Sequence, residues 1–157
     1  MANTSTFENM IESLKDYLTD NLPAYIDLID AAQDDGLILD DVKSIKTDDS
    51  DPYSMPEYPA IVIDTMETDS ERIANGREEN RLTVVIFICI NSVEDYKKRI
   101  RRYSEAVRQL LRDYNKNGIV SWDVNTAEPI NIQFYYPPVE SVKISMITAQ
   151  LFRADEI

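Results

Sequence analysis

Apolar residues near the start of the chain recur every three or four positions. Six of them share one helical face: Phe7, Met10, Ile11, Leu14, Tyr17 and Leu18. This spacing is typical of an α-helix that packs against a core. Pro23 interrupts the pattern, and proline also suits the first turn of a new helix. The segment that ends near Gly36 is therefore either one kinked helix or two consecutive helices.

Residues 40–59 contain three prolines and a cluster of Asp and Ser, and we interpret them as a connector without regular structure. The next apolar runs, 60–63 and 81–90, are rich in β-branched residues and predict strands. The second run is apolar on both faces, as in a central strand. Asn75-Gly76 between them is a strong hairpin signal. We expect two antiparallel strands with an exposed hairpin around 66–80, although a loop of the same residues is the alternative.

Residues 93–115 have the clearest helical pattern in the chain, with Ser92 as the expected cap and Glu94 and Asp95 in the first turn. Asn117-Gly118 is the expected stop. The apolar stripe comprises Tyr96, Ile100, Tyr103, Val107, Leu110, Leu111 and Tyr114. The opposite face is basic: Lys97, Lys98, Arg99, Arg101, Arg102, Arg108 and Arg112.

The last third of the chain alternates between apolar and polar residues, which predicts strands at 119–124, 130–136 and 142–152. In the second strand, Ile130, Ile132, Phe134 and Tyr136 are expected to form a half-buried face. In the third, the period slips after Met146, which suggests a β-bulge. These elements predict one α+β domain over residues 1–157. Its mainly antiparallel sheet of about five strands is covered by an N-terminal helix or helix pair and one long central helix.

The charge is unevenly distributed over the 157 residues, whose formal net charge is −13. Residues 1–71 hold 18 acidic and three basic side chains, whereas residues 72–157 hold 11 acidic and 13 basic ones. The acidic half either keeps the protein soluble or meets a basic partner surface. The basic helix permits contact with DNA or RNA, but pairing with the acidic half, in the same subunit or a neighbour, agrees better with this composition.

Several kinds of reactive site are excluded by composition. The chain has no histidine and one cysteine, so it has no His-based triad, no Cys/His zinc site and no internal disulfide. Its three glycines do not form a phosphate-binding loop. Asp48, Asp49 and Asp51 lack the glycine and distal glutamate of a calcium-binding EF-hand loop. We therefore predict no catalytic, cofactor-binding or metal-binding residues.

The remaining candidate residues have simpler interpretations. We expect Cys89, inside the most apolar strand, to be a buried and inert thiol. The adjacent carboxylates Asp34-Asp35 and Asp40-Asp41 are expected to be structural or solvating, and Trp122 and residues 134–136 to lie in the core or an interface. No apolar run reaches 18 residues, and the N-terminus is unlike a signal peptide. We therefore expect that the protein is made in the cytoplasm and does not associate with a membrane.

The order of elements resembles a family of bacteriophage proteins. The resemblance depends on the Pro-rich link, the strand entry Tyr58-Pro-Ala-Ile-Val-Ile63, the charged hairpin and the apolar strand at 82–90. It extends to the Arg-rich helix Arg102-Tyr-Ser-Glu-Ala-Val-Arg-Gln-Leu-Leu111 and the closing strands. This layout is similar to that of the tail terminator proteins (tail completion, or head–tail joining proteins) of long-tailed bacteriophages and prophages.

The resemblance implies a structural protein of the virion that is not an enzyme. Family members form rings, usually hexamers, that cap the tail tube, stop its polymerisation and present a surface to the head connector. The expected partners are thus further copies of the chain, the tail tube protein and the connector, with DNA passing through the ring without specific binding. Alternatives are a neck or head-completion protein, a small-molecule-binding regulatory module, or an enzyme that uses carboxylates or lysine.

Overall fold

A computed structural model describes residues 6–47, 50–91, 93–114, 122–126, 130–138 and 141–156 of the chain. Two helices and six strands lie within these residues. In chain order they are α1 (Thr6–Gln33), β1 (Ser44–Thr47), β2 (Ala60–Ala74), β3 (Arg77–Asn91), α2 (Tyr96–Arg112), β4 (Asp123–Val124), β5 (Asn131–Tyr135) and β6 (Val142–Glu156). The predicted α+β class is confirmed.

The strands form one sheet in the order β1-β2-β3-β6, and both β4 and β5 pair with the remaining edge of β6. Among the described strands, β1 alone runs parallel to its neighbour, so the sheet is mainly antiparallel as predicted. However, β1 lies within the segment that we interpreted as a connector, and that interpretation is wrong for 44–47. A four-residue strand with Ile45 as its one apolar side chain is too short to show a period.

Both helices contribute to the main core, which they form with one face of the sheet. The fully buried side chains include Leu14 and Leu18 of α1, Ile61 and Ile63 of β2, Ile86 and Ile88 of β3, and Ile100 and Val107 of α2. Burial of this apolar surface is the principal driving force for folding. No helix in the described ranges is both long and apolar enough to cross a membrane.

The first helix is continuous from Thr6 to Gln33, with Pro23 inside it. Of the two possibilities that the sequence left open, a helix pair is therefore excluded. Proline removes one backbone hydrogen bond in a helix interior. The helix nevertheless continues because Leu18, Leu22 and Ile26, on both sides of Pro23, are buried in the same core.

The second helix begins later than predicted, at Tyr96, with Asp95 at its N-cap in a left-handed conformation and without a side-chain capping bond. Glu94 and Asp95 therefore precede the first turn, and the prediction that placed them inside it is wrong. Ser92, the predicted cap, lies outside the described residues, as does the predicted stop at Asn117-Gly118.

The predicted bulge in the last strand is wrong, because β6 pairs with β3 without a register shift from Val142 to Glu156. The apolar pattern changes along β6 for another reason. At its start, Val142 and Ile144 are buried with Cys89 on the second face of the sheet. Further along, Ala149 and Leu151 face the main core. The buried apolar residues of β6 are therefore even-numbered near its start and odd-numbered further along, because the strand first buries side chains on the second face of the sheet and then on the face that packs against the helices.

The strand predicted at 130–136 is observed as β5, but its expected half-buried face is only partly correct. Ile132 is partly buried against the core, whereas Phe134 is 41% exposed. The strand predicted at 119–124 is observed over Asp123–Val124, and residues 119–121 lie outside the described residues. Phe134 is more exposed than predicted because β5 is an edge strand, which pairs with β6 on one side.

Candidate assembly surfaces

A three-stranded arm, formed by residues 64–74 of β2, 77–85 of β3 and 148–156 of β6, extends from the core. The β2–β3 ladder continues through the charged segment to a turn at Asn75-Gly76, where Gly76 has a φ of 72°. Residues 66–80 therefore form the predicted hairpin and not the alternative loop. The end of β6 runs beside it and pairs Glu156 with Arg77. All residues of β2 from 64 to 74 are exposed, a length of roughly 30 Å at strand spacing.

Polar side chains hold the three strands of the arm together. The Ser70 hydroxyl donates to Oδ1 of Asn80 at 2.6 Å, and the Asn80 amide donates to Oδ2 of Asp155 at 2.8 Å, so one chain of bonds crosses all three strands. Arg81 contacts the carboxylates of Glu71 and Glu79, at 2.5 and 2.8 Å. The main core includes Leu82 and Leu151, and these bonds lie closer to the tip of the arm, where cross-strand pairs are the main stabilising contacts.

The outer edge of the arm has two β-bulges, and each of them exposes an apolar residue. The register between β2 and β3 shifts by one residue across Met66, and it shifts by one residue again across Ile73. The Met66 side chain is 64% exposed and that of Ile73 is 50% exposed. Bulges disrupt the edge of a sheet and so discourage indiscriminate strand pairing. An edge of this kind can contact a partner through its side chains.

The predicted basic face of α2 is not uniformly exposed, because Arg102 is 5% exposed. Its guanidinium donates to a carboxylate oxygen of Asp35 and, at 3.0 Å, to the backbone oxygen of Leu37. Oδ1 of Asp30 lies 3.7 Å from Nη1 of Arg102. These contacts confirm that the basic helix pairs with the acidic first half of the same subunit. The sequence placed Arg102 on this basic face and did not indicate that it is buried.

The Arg102 contacts fix the loop that follows α1. Asp30 accepts the Leu39 backbone N–H at 3.0 Å, and Asp35 accepts that of Leu37 at 3.1 Å. The Arg102 hydrogen bond, more than any other influence, lowers the pKa of Asp35 below its ordinary value. Sequence reasoning could place Arg102 on α2, but its burial depends on the position of Asp30, 72 residues earlier in the chain.

Aromatic and cationic side chains of α2, of β5 and of the residue that directly follows β5 form a second surface, the aromatic–cationic surface. It comprises Tyr96, Lys97, Arg101, Phe134 and Tyr136. The Phe134 and Tyr136 rings stack with centroids 6.1 Å apart, and the Tyr96 ring meets Tyr136 edge-on at 5.6 Å. Lys97 Nζ lies 5.4 Å from the centre of the Tyr136 ring. Burial raises the pKa of Tyr136, while the positive charge of Arg101 opposes the shift.

A cleft of about 330 Å³ opens between α2, the 38–40 segment and the strand ends. Its rim carries the exposed apolar side chains of Ile38 and Val93. Inside it, the Tyr103 hydroxyl donates to the backbone oxygen of Asp40 at 2.5 Å. Burial raises the pKa of Tyr103 far above its ordinary value, so this hydroxyl remains a proton donor. The cleft is at the lower end of the size range of small-molecule sites.

The other predicted candidates have structural surroundings. Cys89 is fully buried, and burial raises the pKa of its thiol to about 12. The Trp122 ring stacks on that of Tyr114 at 3.8 Å, and its Nε1–H donates to Ser13 Oγ. Asp48 and Asp49 lie outside the described residues. Within the residues that are described, no three carboxylate or thiol side chains are grouped as a metal site would require.

Comparison with protein-family models finds no match to this chain, and comparison with curated proteins finds no relative.

Proposed function

We propose that this protein is a tail terminator of a long-tailed bacteriophage or prophage. In this role it forms a ring, with six subunits expected, that caps the tail tube and stops its polymerisation. The ring also presents a surface to the head connector. The role needs no catalytic residue, cofactor or metal, and it places the protein at the head-proximal end of the virion tail after synthesis in the host cytoplasm.

The observation that carries the proposal is the arm, together with the aromatic–cationic surface at the far edge of the same sheet. A ring is built from heterologous contacts, in which one surface of a subunit meets a different surface of the next. This chain has two such surfaces, one with the exposed Met66 and the other with the exposed Phe134. The order of elements that resembles the terminator family is the second support.

The net charge of −13 agrees with a ring through which DNA passes without being held. Affinity for DNA comes largely from Lys and Arg side chains that displace counterions from phosphates. The buried Arg102 and the Arg81 that contacts Glu71 and Glu79 are already engaged within the subunit. This distribution of charge favours the passage of DNA through the ring over the binding of DNA to it.

Electron microscopy of phage particles that lack this protein tests the proposal. Tails that are overlong or that carry no head are expected, because nothing stops tube growth or joins the head. Tails of normal length joined to heads reject the proposal. Tails of normal length that fail to join heads instead indicate a neck protein at an adjacent position.

Sedimentation of the purified protein over a range of concentrations is a second, independent test. We expect a discrete oligomer at high micromolar concentration, because a ring closes at a fixed number of subunits. Single subunits of 18.1 kDa at every concentration contradict the proposal.

The cleft beside Tyr103 favours a second candidate function, a regulatory module that binds a small molecule. A screen of metabolites by thermal shift tests it, because a ligand that binds the native state raises the unfolding temperature. A crystal structure with a metabolite in this cleft would replace the terminator proposal.

A further inference from the structure

The aromatic–cationic surface combines an apolar centre with two cations. Phe134 is 41% exposed although its ring stacks on Tyr136, and Lys97 and Arg101 are both exposed. Residues 97 and 101 are four positions apart in α2, so they lie on the same face of the helix. An exposed aromatic ring beside two cations fits an apolar side chain flanked by negative charges.

The outer edge of the arm has this complementary pattern. Met66 is 64% exposed at a bulge, and the nearby Asp64 and Glu67 are exposed as well. Methionine is flexible, and its sulfur makes favourable contacts with aromatic rings. The segment 64–67 thus has one adaptable apolar side chain between two carboxylates.

The two surfaces lie on opposite edges of one sheet. The arm edge belongs to β2, the aromatic side chain Phe134 belongs to β5, and both β3 and β6 lie between these strands. Three strand spacings of about 4.8 Å separate β2 from β5, with the outer edge of β2 on the side away from β5. The arm edge therefore reaches this surface in a second molecule and not in its own.

We propose that segment 64–67 of the arm docks on the aromatic–cationic surface of a neighbouring copy of this chain. Met66 contacts Phe134, while Asp64 and Glu67 pair with Lys97 and Arg101. Opposite charges that meet across an interface set its register and exclude wrong partners. The contact joins different surfaces of two subunits, so it repeats head to tail. This inference rests on the proposed function, because it names the contact that closes the proposed ring.

Side chains carry this contact because the arm edge is unsuited to continuous strand pairing. The bulge at Met66 interrupts the regular spacing of backbone groups along β2, and a second bulge follows at Ile73. A neighbouring strand could not form an unbroken ladder with this edge. The predicted contact is therefore sensitive to charge reversal at the surface.

Two charge-reversed variants of the full chain test the proposal by their mass in solution. The surface variant carries Lys97→Glu and Arg101→Glu, and the arm variant carries Asp64→Lys and Glu67→Lys. Each variant alone is expected to sediment as single subunits of 18.1 kDa, because like charges then meet at the contact. An equimolar mixture is expected to recover the wild-type oligomer, because each contact again joins opposite charges.

A matched control reverses two exposed cations elsewhere. Lys43→Glu with Arg112→Glu changes the net charge as much as the surface variant does, before β1 and in the last turn of α2. This control is expected to keep the wild-type mass. Circular dichroism of each variant, alone and mixed, verifies that the chains are folded, and the mixture itself restores assembly only if both variants are folded.

The results separate this inference from the proposed function. An oligomeric wild type whose surface and arm variants keep the same mass overturns the docking contact and leaves the ring intact. The docking contact is likewise overturned if both variants dissociate and the mixture does not reassemble. A wild type that remains a single subunit at every concentration overturns the ring and the contact together.

Nucleic acid is the competing occupant, since exposed aromatic rings beside cations also stack on single-stranded bases. Fluorescence anisotropy with a labelled single-stranded oligonucleotide at physiological ionic strength tests for it. We expect no binding by the wild type. Binding that the surface variant loses, without any change in mass, overturns the docking contact in favour of nucleic acid.

Discussion

Arg102 joins the two halves of the chain at the scale of a single residue. Its guanidinium is buried between α2 and the loop after α1, next to Asp30 and Asp35. Burying a cation costs desolvation free energy. Substituting the cation destabilises the fold more strongly, because the carboxylates that remain lose their partner. The contact therefore determines how α1 and α2 are held together at this end.

Replacing Arg102 by alanine is expected to lower the free energy of unfolding by about 3 kcal/mol, because Asp30 remains buried without a cation. Urea unfolding followed by circular dichroism measures the change. Arg112→Ala removes an exposed cation from the same helix and is expected to cost less than about 0.5 kcal/mol. Equal effects of the two substitutions would contradict the role assigned to Arg102.

The pKa of Asp35 makes the same contact depend on pH. The carboxyl group has a lower pKa in the folded protein than its ordinary value of 3.8, mainly because of the Arg102 hydrogen bond. Its contribution to stability is present above that ordinary value and is lost as the pH falls through the folded pKa. Thermal unfolding should show Asp35→Asn less stable than wild type at neutral pH, with the difference vanishing in acid. A difference that stays constant to low pH would be inconsistent with this account.

Cys89 should react slowly with thiol reagents, since it is fully buried and its pKa is raised to about 12. The thiolate is the reactive form, and little of it exists at pH 8. We expect an Ellman-type reagent to label the native protein far more slowly than the protein in urea. Complete labelling of the native state within minutes would show that the strand opens readily.

At the scale of elements, the arm depends on its turn. Gly76 has a φ of 72°, a left-handed conformation that costs other residues about 1 kcal/mol or more. Gly76→Ala is expected to speed hydrogen exchange of the arm amides about fivefold, with little effect on amides of the core. Gly36→Ala makes the same change at a φ of 82° outside the arm. If both substitutions affect arm exchange equally, the turn has no special role.

The apolar period of the sequence indicates elements that have one buried face, and it carries no signal for elements whose two faces are both exposed to solvent. The stripe that includes Ile100 and Val107 shows α2 directly, because burial imposes a helical period on it. In contrast, the apolar run of β2 ends at Ile63, and its continuation to Ala74 was predicted only through the hairpin signal at Asn75-Gly76. Beyond Ile63 both of its faces are exposed, so hydrogen bonds to β3 define the strand and leave no apolar period to detect.

At the scale of the whole molecule, the main core predicts cooperative unfolding. Trp122 stacks on Tyr114 in this core, which also contains residues of both helices and of the sheet. Fluorescence of Trp122 and far-UV circular dichroism should therefore report the same urea midpoint if the chain is a single domain. Two separated midpoints would show that it contains more than one cooperative unit.

The candidate surfaces could be predicted only in part. Asn75-Gly76 indicated the projecting hairpin because turn chemistry is local. The aromatic–cationic surface could not be predicted, since Lys97 meets Tyr136 only when β5 pairs beside β6 and next to the start of α2. Such proximity depends on the order of strands in the sheet, which the period of a single segment does not reveal.

The pairing of Glu156 with Arg77 has a practical consequence for experiments on this protein. A fluorescent protein or affinity tag joined directly after Glu156 would lie at the tip of the arm, beside the Asn75-Gly76 turn. Such a fusion would obstruct the proposed partner of the arm and mimic a loss of function. A small fluorophore at the same position would instead report on whatever approaches that tip.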